Sequence, residues 1–360
     1  MATIPVPLDT ETVSRGTVDH AGTNALFGQF AVTKFALPPD SNPEINDISI
    51  LTKFLSLEQV QLNGTKITSL AALQPLHSLY KLEANNNELT EVLDYNTPNG
   101  AVEETCWTGG EAYVGPPLIW ASLCGNKIFK IRDLSSFTTL SYLDLSRNRI
   151  QEITGISSLA SLKTLKLIDN NIKSCLGLPP LLEEIDISGN AIESISPLGE
   201  IIALRSVRVD RNRINSFSCL CNCPMLIELS ARQNWVTSFG QLACLATLEL
   251  LQKVNFEKNG IEELSHYRSR ILLRLPEVTE IDDVAVSVGE KVRARAVVGA
   301  ELESRKKNHK EHLPMEHFFD AMPPFDESSE PCAVSPRDKI NIASAEYMGA
   351  IMQEAVKRSD

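Results

Sequence analysis

Residues Leu140–Asn190 read LSYLDLSRNRIQEITGISSLASLKTLKLIDNNIKSCLGLPPLLEEIDISGN, which writes one phrase twice and begins it a third time. The phrase is L-x-x-L-x-L-x-x-N-x-I-x-x-I. It falls at Leu140, Leu143, Leu145, Asn148, Ile150 and Ile153, and again at Leu162, Leu165, Leu167, Asn170, Ile172 and Cys175. In L-x-L the side chains alternate as on a β-strand, so Leu143 and Leu145 are expected inside and Tyr142, Asp144 and Ser146 outside. The asparagine then ends the strand, because its short amide can bond backbone groups where the chain turns and no strand partner remains for them.

This is the period of a leucine-rich repeat. Extended both ways it gives nine repeats, with leading positions at Leu57, Leu79, Leu118, Leu140, Leu162, Leu182, Leu204, Leu226 and Leu251. Thr65 holds the asparagine position in the first; Asn87, Asn126, Asn148, Asn170, Asn190, Asn212, Asn234 and Asn259 hold it in the rest. Between strands an apolar residue recurs every third position, as in Ile192, Ile195, Leu198 and Ile201, a spacing suited to tight turns and 3₁₀ pieces. A single repeat cannot bury its own leucines, so the repeats must stack. The expected fold is an α/β solenoid, a leucine-rich-repeat horseshoe of about nine short, 22-residue-type repeats with caps at both ends.

The solenoid is expected over residues 45–283, after an arm and cap in 1–44 that begins polar and extended and turns apolar at ALFGQFAVTKFAL. An insertion within 93–117, rich in Gly, Pro and Asn, lengthens one step to 39 residues and carries Trp107 and Tyr113. A further triplet, Leu242, Leu245 and Leu248, lengthens another step to 25. Leu275, Val278 and Ile281 continue the core spacing and close the stack. Ser287-x-x-Glu290 reads as a capping box that opens a cap helix in 284–308. The tail, 309–360, holds FFDAMPPF and a terminal amphipathic helix whose stripe runs through Ala345, Met348, Ile351, Met352 and Ala355. An isolated helix of that length is marginal in water, so Met348 and Met352 are expected to dock on another protein, the alternative being that the helix folds back on the convex side of its own solenoid.

The formal charge of −12 over 360 residues argues against a general binder of nucleic-acid backbone. No run of about 20 apolar residues is present, and MATIPVPLDTETV lacks the basic start and apolar core of a secretion signal, so neither a membrane nor an oxidising compartment is expected. Eight cysteines are too few for a disulfide scaffold, and Cys175 and Cys223 sit at core positions. The Cys219-x-Cys221-x-Cys223 run is tighter than ordinary metal-ligand spacing and reads as buried thiols in a convex turn; His309, His312 and His317 read as solvated tail. No nucleophile elbow, phosphate-cradling glycine motif or zincin motif occurs, so neither catalysis, cofactor, metal nor small-molecule substrate is expected.

Candidate binding residues lie on the strand face and its rim. The first outward column runs Gln59, Lys81, Trp120, Tyr142, Thr164, Glu184, Ser206, Glu228, Lys253. Trp120 and Tyr142, on adjacent strands, can stack at about 5 Å. With Lys81 they form either an anchor for a partner or a cross-strand pair that only stabilises the sheet. The second column alternates in sign through Asp144, Lys166, Asp186 and Arg208, which reads as a ladder of mutually satisfied charges. Arg147 and Arg211 place cations at strand ends, suited to an acidic partner or simply solvated.

Several stretches, taken in order, resemble the leucine-rich-repeat protein of the ciliary radial spoke, a component of the third spoke and its head region. LDTETVSRGTVDHAGTNALFGQFAVTKFAL followed by INDISILTKFLSLEQVQLNGTKITSL is similar to that family's N-terminal cap and first repeat; SLYKLEANNNEL, PPLIWASLCGNKI and YRSRILLRLPEVTEIDD resemble later repeats and its closing cap. The resemblance covers roughly residues 8 to 300, and the 17-residue insertion and the tail depart from it. It implies a structural protein of the axoneme, located in the cilium or flagellum, bound to other radial-spoke proteins and needed for regulated motility, with no catalytic residues. Repeats of this length also resemble the leucine-rich regulatory subunit of protein phosphatase 1, the alternative reading, as well as a light chain of axonemal dynein and a splicing-factor subunit.

Overall fold

A computed structural model describes residues 6–23, 30–38, 41–95, 118–264 and 266–294. The chain divides into two compact units, Met1–Ala191 and Ile192–Asp360.

In the first unit, α1 (Thr10–Gly16) leads into β1 (Thr17–Thr23), which runs antiparallel to β2 (Phe30–Ala36). Repeat strands follow in parallel: β3 (Gln59–Gln61), β4 (Lys81–Glu83), β5 (Trp120–Ser122), β6 (Tyr142–Asp144), β7 (Thr164–Lys166) and β8 (Glu184–Asp186). The second unit continues the pattern in β9 (Ser206–Arg208), β10 (Glu228–Ser230) and β11 (Lys253–Asn255). It ends in α2 (Tyr267–Arg274) and the antiparallel pair β12 (Glu280–Ile281) and β13 (Val284–Ala285). Each unit is a leucine-rich-repeat solenoid.

The phrase explains why every repeat strand is only three residues long. Register sets Leu143 between Ala121 and Leu165, so the middle residues form one continuous core row. Leu143, Leu145, Leu165 and Leu167 have no exposed surface. After each strand the backbone enters the left-handed region at the residue just before the asparagine position: Arg147 has φ 55°, Asp169 53°, Arg211 53° and Gln233 51°. That turn aims the asparagine inward. Asn148 donates from Nδ2 to the Leu145 carbonyl (2.9 Å) of its own repeat and to Leu123 (3.0 Å) of the preceding one, while its Oδ1 accepts the Ile128 N–H at 3.1 Å. Asn170 repeats the set with Leu167, Leu145 and Ile150. In the second unit Asn212 and Asn234 accept the N–H groups of Ile192 and Ile214, each at 3.0 Å. Backbone groups with no sheet partner are thereby satisfied inside the core.

The links between strands are turns and short 3₁₀ pieces. The extra triplet extends one of them to Phe239–Thr247, with Leu242, Leu245 and Leu248 buried. In the first unit Gly155 closes such a link at φ +69°, and a Cβ there would stand 2.1 Å from the Arg132 carbonyl oxygen.

Three expectations need correction. Within the polar start, Thr10–Gly16 is helical and not extended: Asp9 accepts the Thr12 N–H at 2.7 Å and starts α1, in which Val13 is buried. Ser146 faces inward, 5 % exposed, because the chain has already left strand geometry there and the Ser146 hydroxyl takes the Ile168 N–H at 3.3 Å. YRSRILLR, read only as core spacing, is the helix α2, and it buries Ile271 and Leu272.

At the closing end Asp282 and Asp283, both left-handed (φ 52° and 60°), make the tight turn between β12 and β13. The capping box is formed: the Ser287 hydroxyl accepts the Glu290 N–H and the Glu290 carboxylate accepts the Ser287 N–H, both at 3.2 Å. Glu290 also meets Arg268 at 3.0 Å, and that bond first, then the Ser287 N–H, holds its carboxyl below the ordinary range.

Leu165→Asp should cost more than about 4 kcal/mol and melt several repeats together, seen as loss of the cooperative circular-dichroism transition. Asn148→Ala, which strands the buried Ile128 N–H while the carbonyls of Leu123 and Leu145 keep their bonds from Asn126 and Asn170, should cost about 1–3 kcal/mol in urea titration. Because the folded-state pKa of Glu290 is depressed, its contribution is present at neutral pH and lost as pH falls through and below the ordinary carboxylate range. Glu290→Gln should therefore lower stability at pH 7 and leave it nearly unchanged at pH 3.

Candidate functional site

On the strand face of the first unit the register places Lys81, Trp120, Tyr142 and Thr164 side by side in one column. Parallel strands lie about 4.8 Å apart, close to the stacking distance of aromatic rings, so flat side chains in neighbouring rows can lie face to face. Trp120 and Tyr142 do: their centroids are 4.7 Å apart and their planes differ by 6°.

Both outer faces of this pair carry an ammonium. Lys81 Nζ lies 4.7 Å from the Trp120 ring centroid, and Lys166 Nζ lies 5.5 Å from that of Tyr142. Lys81 also bridges Glu83 at 3.0 Å. Each cation–π contact contributes about 0.5–1 kcal/mol at such half-exposed positions. The result is a four-layer stack, cation–indole–phenol–cation, whose ring edges rather than faces meet solvent. Burial first, and the Asp144 charge next, push the Tyr142 phenol above its ordinary value while Lys166 pulls the other way, so the hydroxyl stays protonated as a donor.

Lys166 is the member that the sequence reading assigned elsewhere. It was read as a rung of the ladder Asp144, Lys166, Asp186; Asp144 accepts the Ser146 N–H at 2.9 Å, and the lysine ammonium lies over the neighbouring ring. The signal was present in the sequence, since Lys166 lies one strand from Tyr142. Charge sign alone hid it.

The other candidates fall apart from this stack. Arg147 is exposed at its left-handed turn; Arg211 is likewise exposed, in the second unit. Trp107, Met348 and Met352 lie outside the described residues, as do the insertion beyond Tyr95 and the histidine cluster. In the cysteine run only Cys223 is fully buried; Cys219 is half-buried and Cys221 exposed, which corrects the picture of three buried thiols. Burial raises the Cys219 thiol and pushes that of Cys223 up to about 11, so both are kept as thiols that donate to carbonyls of Ile195 and Leu198. Among the described residues no three His, Cys, Asp or Glu side chains are grouped to hold a metal, and no helix is long and apolar enough to cross a membrane.

The sequence reading also missed two features of the second unit. Trp235 is 55 % exposed, with the Arg213 guanidinium 5.9 Å from its ring. The strand face there forms a groove of about 310 Å³ lined almost wholly by charged and polar groups. Neither is visible from one repeat; both need the register of three.

No protein-family model matches this chain, and no curated protein does. Among solved structures, an internalin (inlF) from Listeria monocytogenes is 20% identical, with a TM-score of 0.43, covering 68% of this chain and 78% of its own. Internalin C2 from the same organism is 22% identical, with a TM-score of 0.46, covering 68% of this chain and 91% of its own. The leucine-rich repeat domain of APL1 is 20% identical, with a TM-score of 0.48, covering 60% of this chain and 54% of its own. The reading of the fold rests on the register and the asparagine ladder.

Lys166→Met should raise the Tyr142 phenol further, because the cation that opposes its burial is removed. Ultraviolet difference titration of the variant against the parent checks the direction.

Proposed function

We propose that this chain is a non-catalytic protein–protein interaction scaffold, and that it serves as a structural component of the axonemal radial spoke. The observation that carries the interaction reading is the half-exposed Lys81–Trp120–Tyr142–Lys166 stack. Aromatic side chains with an adjacent cation are the composition of interface hot spots, and here the solenoid pre-orders them, so little side-chain entropy remains to be lost on binding.

The spoke assignment draws on a separate feature. The N-terminal stretch that resembles the spoke protein's cap folds as α1, β1 and β2 ahead of the first repeat strand, and Phe35 of β2 fills the end of the core at 1 % exposure. Its partners are other spoke or axonemal proteins, and its location is the ciliary or flagellar axoneme.

In a flagellated cell, the tagged protein is expected along the axoneme by imaging and in the detergent-insoluble fraction. Recovery in the detergent-soluble fraction, bound to a phosphatase, would replace the spoke reading with that of a cytosolic regulatory subunit. Trp120→Ser/Tyr142→Ser should keep the parental circular-dichroism spectrum and lose axonemal incorporation; normal incorporation would reduce the stack to a sheet-stabilising pair.

A further inference from the structure

Each repeat strand of the second unit is entered through a tight turn. The Leu204 N–H donates to the Ile201 carbonyl (3.4 Å), Leu226 to Cys223 (3.1 Å) and Leu251 to Leu248 (3.5 Å), and Val278 closes the same turn onto Leu275 at 3.3 Å ahead of β12. The first and last residues of every turn are buried, so the two central ones face outward. These are Ile202 and Ala203, Pro224 and Met225, Glu249 and Leu250, Pro276 and Glu277. Turn centres usually hold Gly, Pro, Asn, Asp or Ser, which suit both the bend and water. Here Ile202 is 64% exposed, Met225 49% and Leu250 43%. In the first unit the turns closed by Leu79, Leu140 and Leu162 hold His77 and Ser78, Thr138 and Thr139, Ala160 and Ser161 at the same places, and Leu55 and Leu181 are single exceptions. The apolar run is a property of the second unit.

The turns sit in neighbouring rows, because the strand starts that follow them are bonded in series: Glu228 donates to Arg205, Lys253 to Ile227 and Glu280 to Gln252. At about 4.8 Å per row the four turns make a ladder about 14 Å long. An α-helix laid along it advances about 5.4 Å per turn, so one side chain per helical turn meets one row. Three half-exposed side chains fall far short of the ~800 Å² that each partner buries in a stable complex of separate proteins, so the ladder holds a second copy or a free partner poorly. A segment of the same chain acts at an effective concentration of about 1 mM, and a small apolar surface is enough to hold it.

The sequence supplies such a segment. Ala345, Met348, Met352 and Ala355 recur at three- and four-residue spacing with Ile351 beside them, in a part of the chain outside the described residues. On a helix that stripe is about 15 Å long, the length of the ladder. Residues 295–344 separate it from Ala294, the last described residue, and that much chain reaches about 165 Å when extended. We propose that the ladder of Ile202, Met225 and Leu250 is the docking surface of this chain's own C-terminal stripe, with Met348, Ile351 and Met352 laid across the turns as one helix. This goes beyond the scaffold reading. A neighbour that takes the stripe must compete with the ladder for it, so the contact sets when the tail is offered.

The test uses the full chain, whose six methionines can be methyl-labelled with carbon-13 and assigned by single Met→Leu replacements. A nuclear Overhauser contact is expected between the Met225 methyl and that of Met348 or Met352. Backbone amides of 345–355 should exchange about tenfold more slowly than in a synthetic peptide of 338–360. Met225→Glu/Leu250→Glu changes only outward-facing turn residues, so it should keep the cooperative melting transition and bring that exchange to the rate of the peptide. Thr138→Glu/Thr139→Glu, which places the same charge on a first-unit turn, should leave the exchange as in the parent. Absence of the Met225 contact, or slow exchange that survives Met225→Glu/Leu250→Glu, would overturn the proposal. So would equal losses in the two double variants, or contacts found only between differently labelled copies in a mixed sample, which would assign the ladder to a second molecule. None of these readouts involves the aromatic stack or an axoneme.

Discussion

A strand three residues long makes too few ladder bonds to hold its neighbours, and it turns away before its polar backbone is satisfied. The structure meets that constraint with a buried amide. At Asn148 and Asn170 a left-handed residue ends the strand and delivers an asparagine whose Nδ2 bonds a carbonyl of its own repeat and one of the preceding repeat, while Oδ1 receives an N–H of the preceding link. The leucines supply most of the burial, but burial is indifferent to register. Amide bonds of this kind have one satisfied register, and a slip by one residue would leave several buried groups without partners.

Fixed register is what gives a strand face a fixed chemistry. With rows locked about 4.8 Å apart, the outward residue of one repeat has a defined neighbour in the next. The same geometry stacks Trp120 on Tyr142 in one place and sets Arg208 against Glu228 in another. The chemistry of the face is thus decided by pairs of adjacent rows, while the inward residues stay nearly uniform.

This division explains what the sequence disclosed. The inward half was legible, because Leu143, Leu165, Asn148 and their counterparts recur with a period that has one structural solution. The Trp120–Tyr142 contact was legible too, since aligning two repeats puts the rings in one column. Lys166 was read by sign as a rung of the charge ladder, whereas a lysine stem is long enough to reach several neighbours, and here its ammonium lies over the Tyr142 ring. The groove of the second unit was hidden because Asp283 reaches it from the β12–β13 turn, outside the repeat phrase altogether. Helix α1 was hidden for a related reason: seven residues with one buried valine carry no period to detect.

The antiparallel strands at the two extremes have a consequence of their own. A stack of identical layers behaves as a one-dimensional crystal, for any exposed last layer is a template on which another can grow. β1 precedes the first parallel layer and β13 follows the last, each running against the direction of growth and each outside the repeat phrase. Such reversed layers act as growth poisons. The number of layers is therefore written into the gene and not left to assembly.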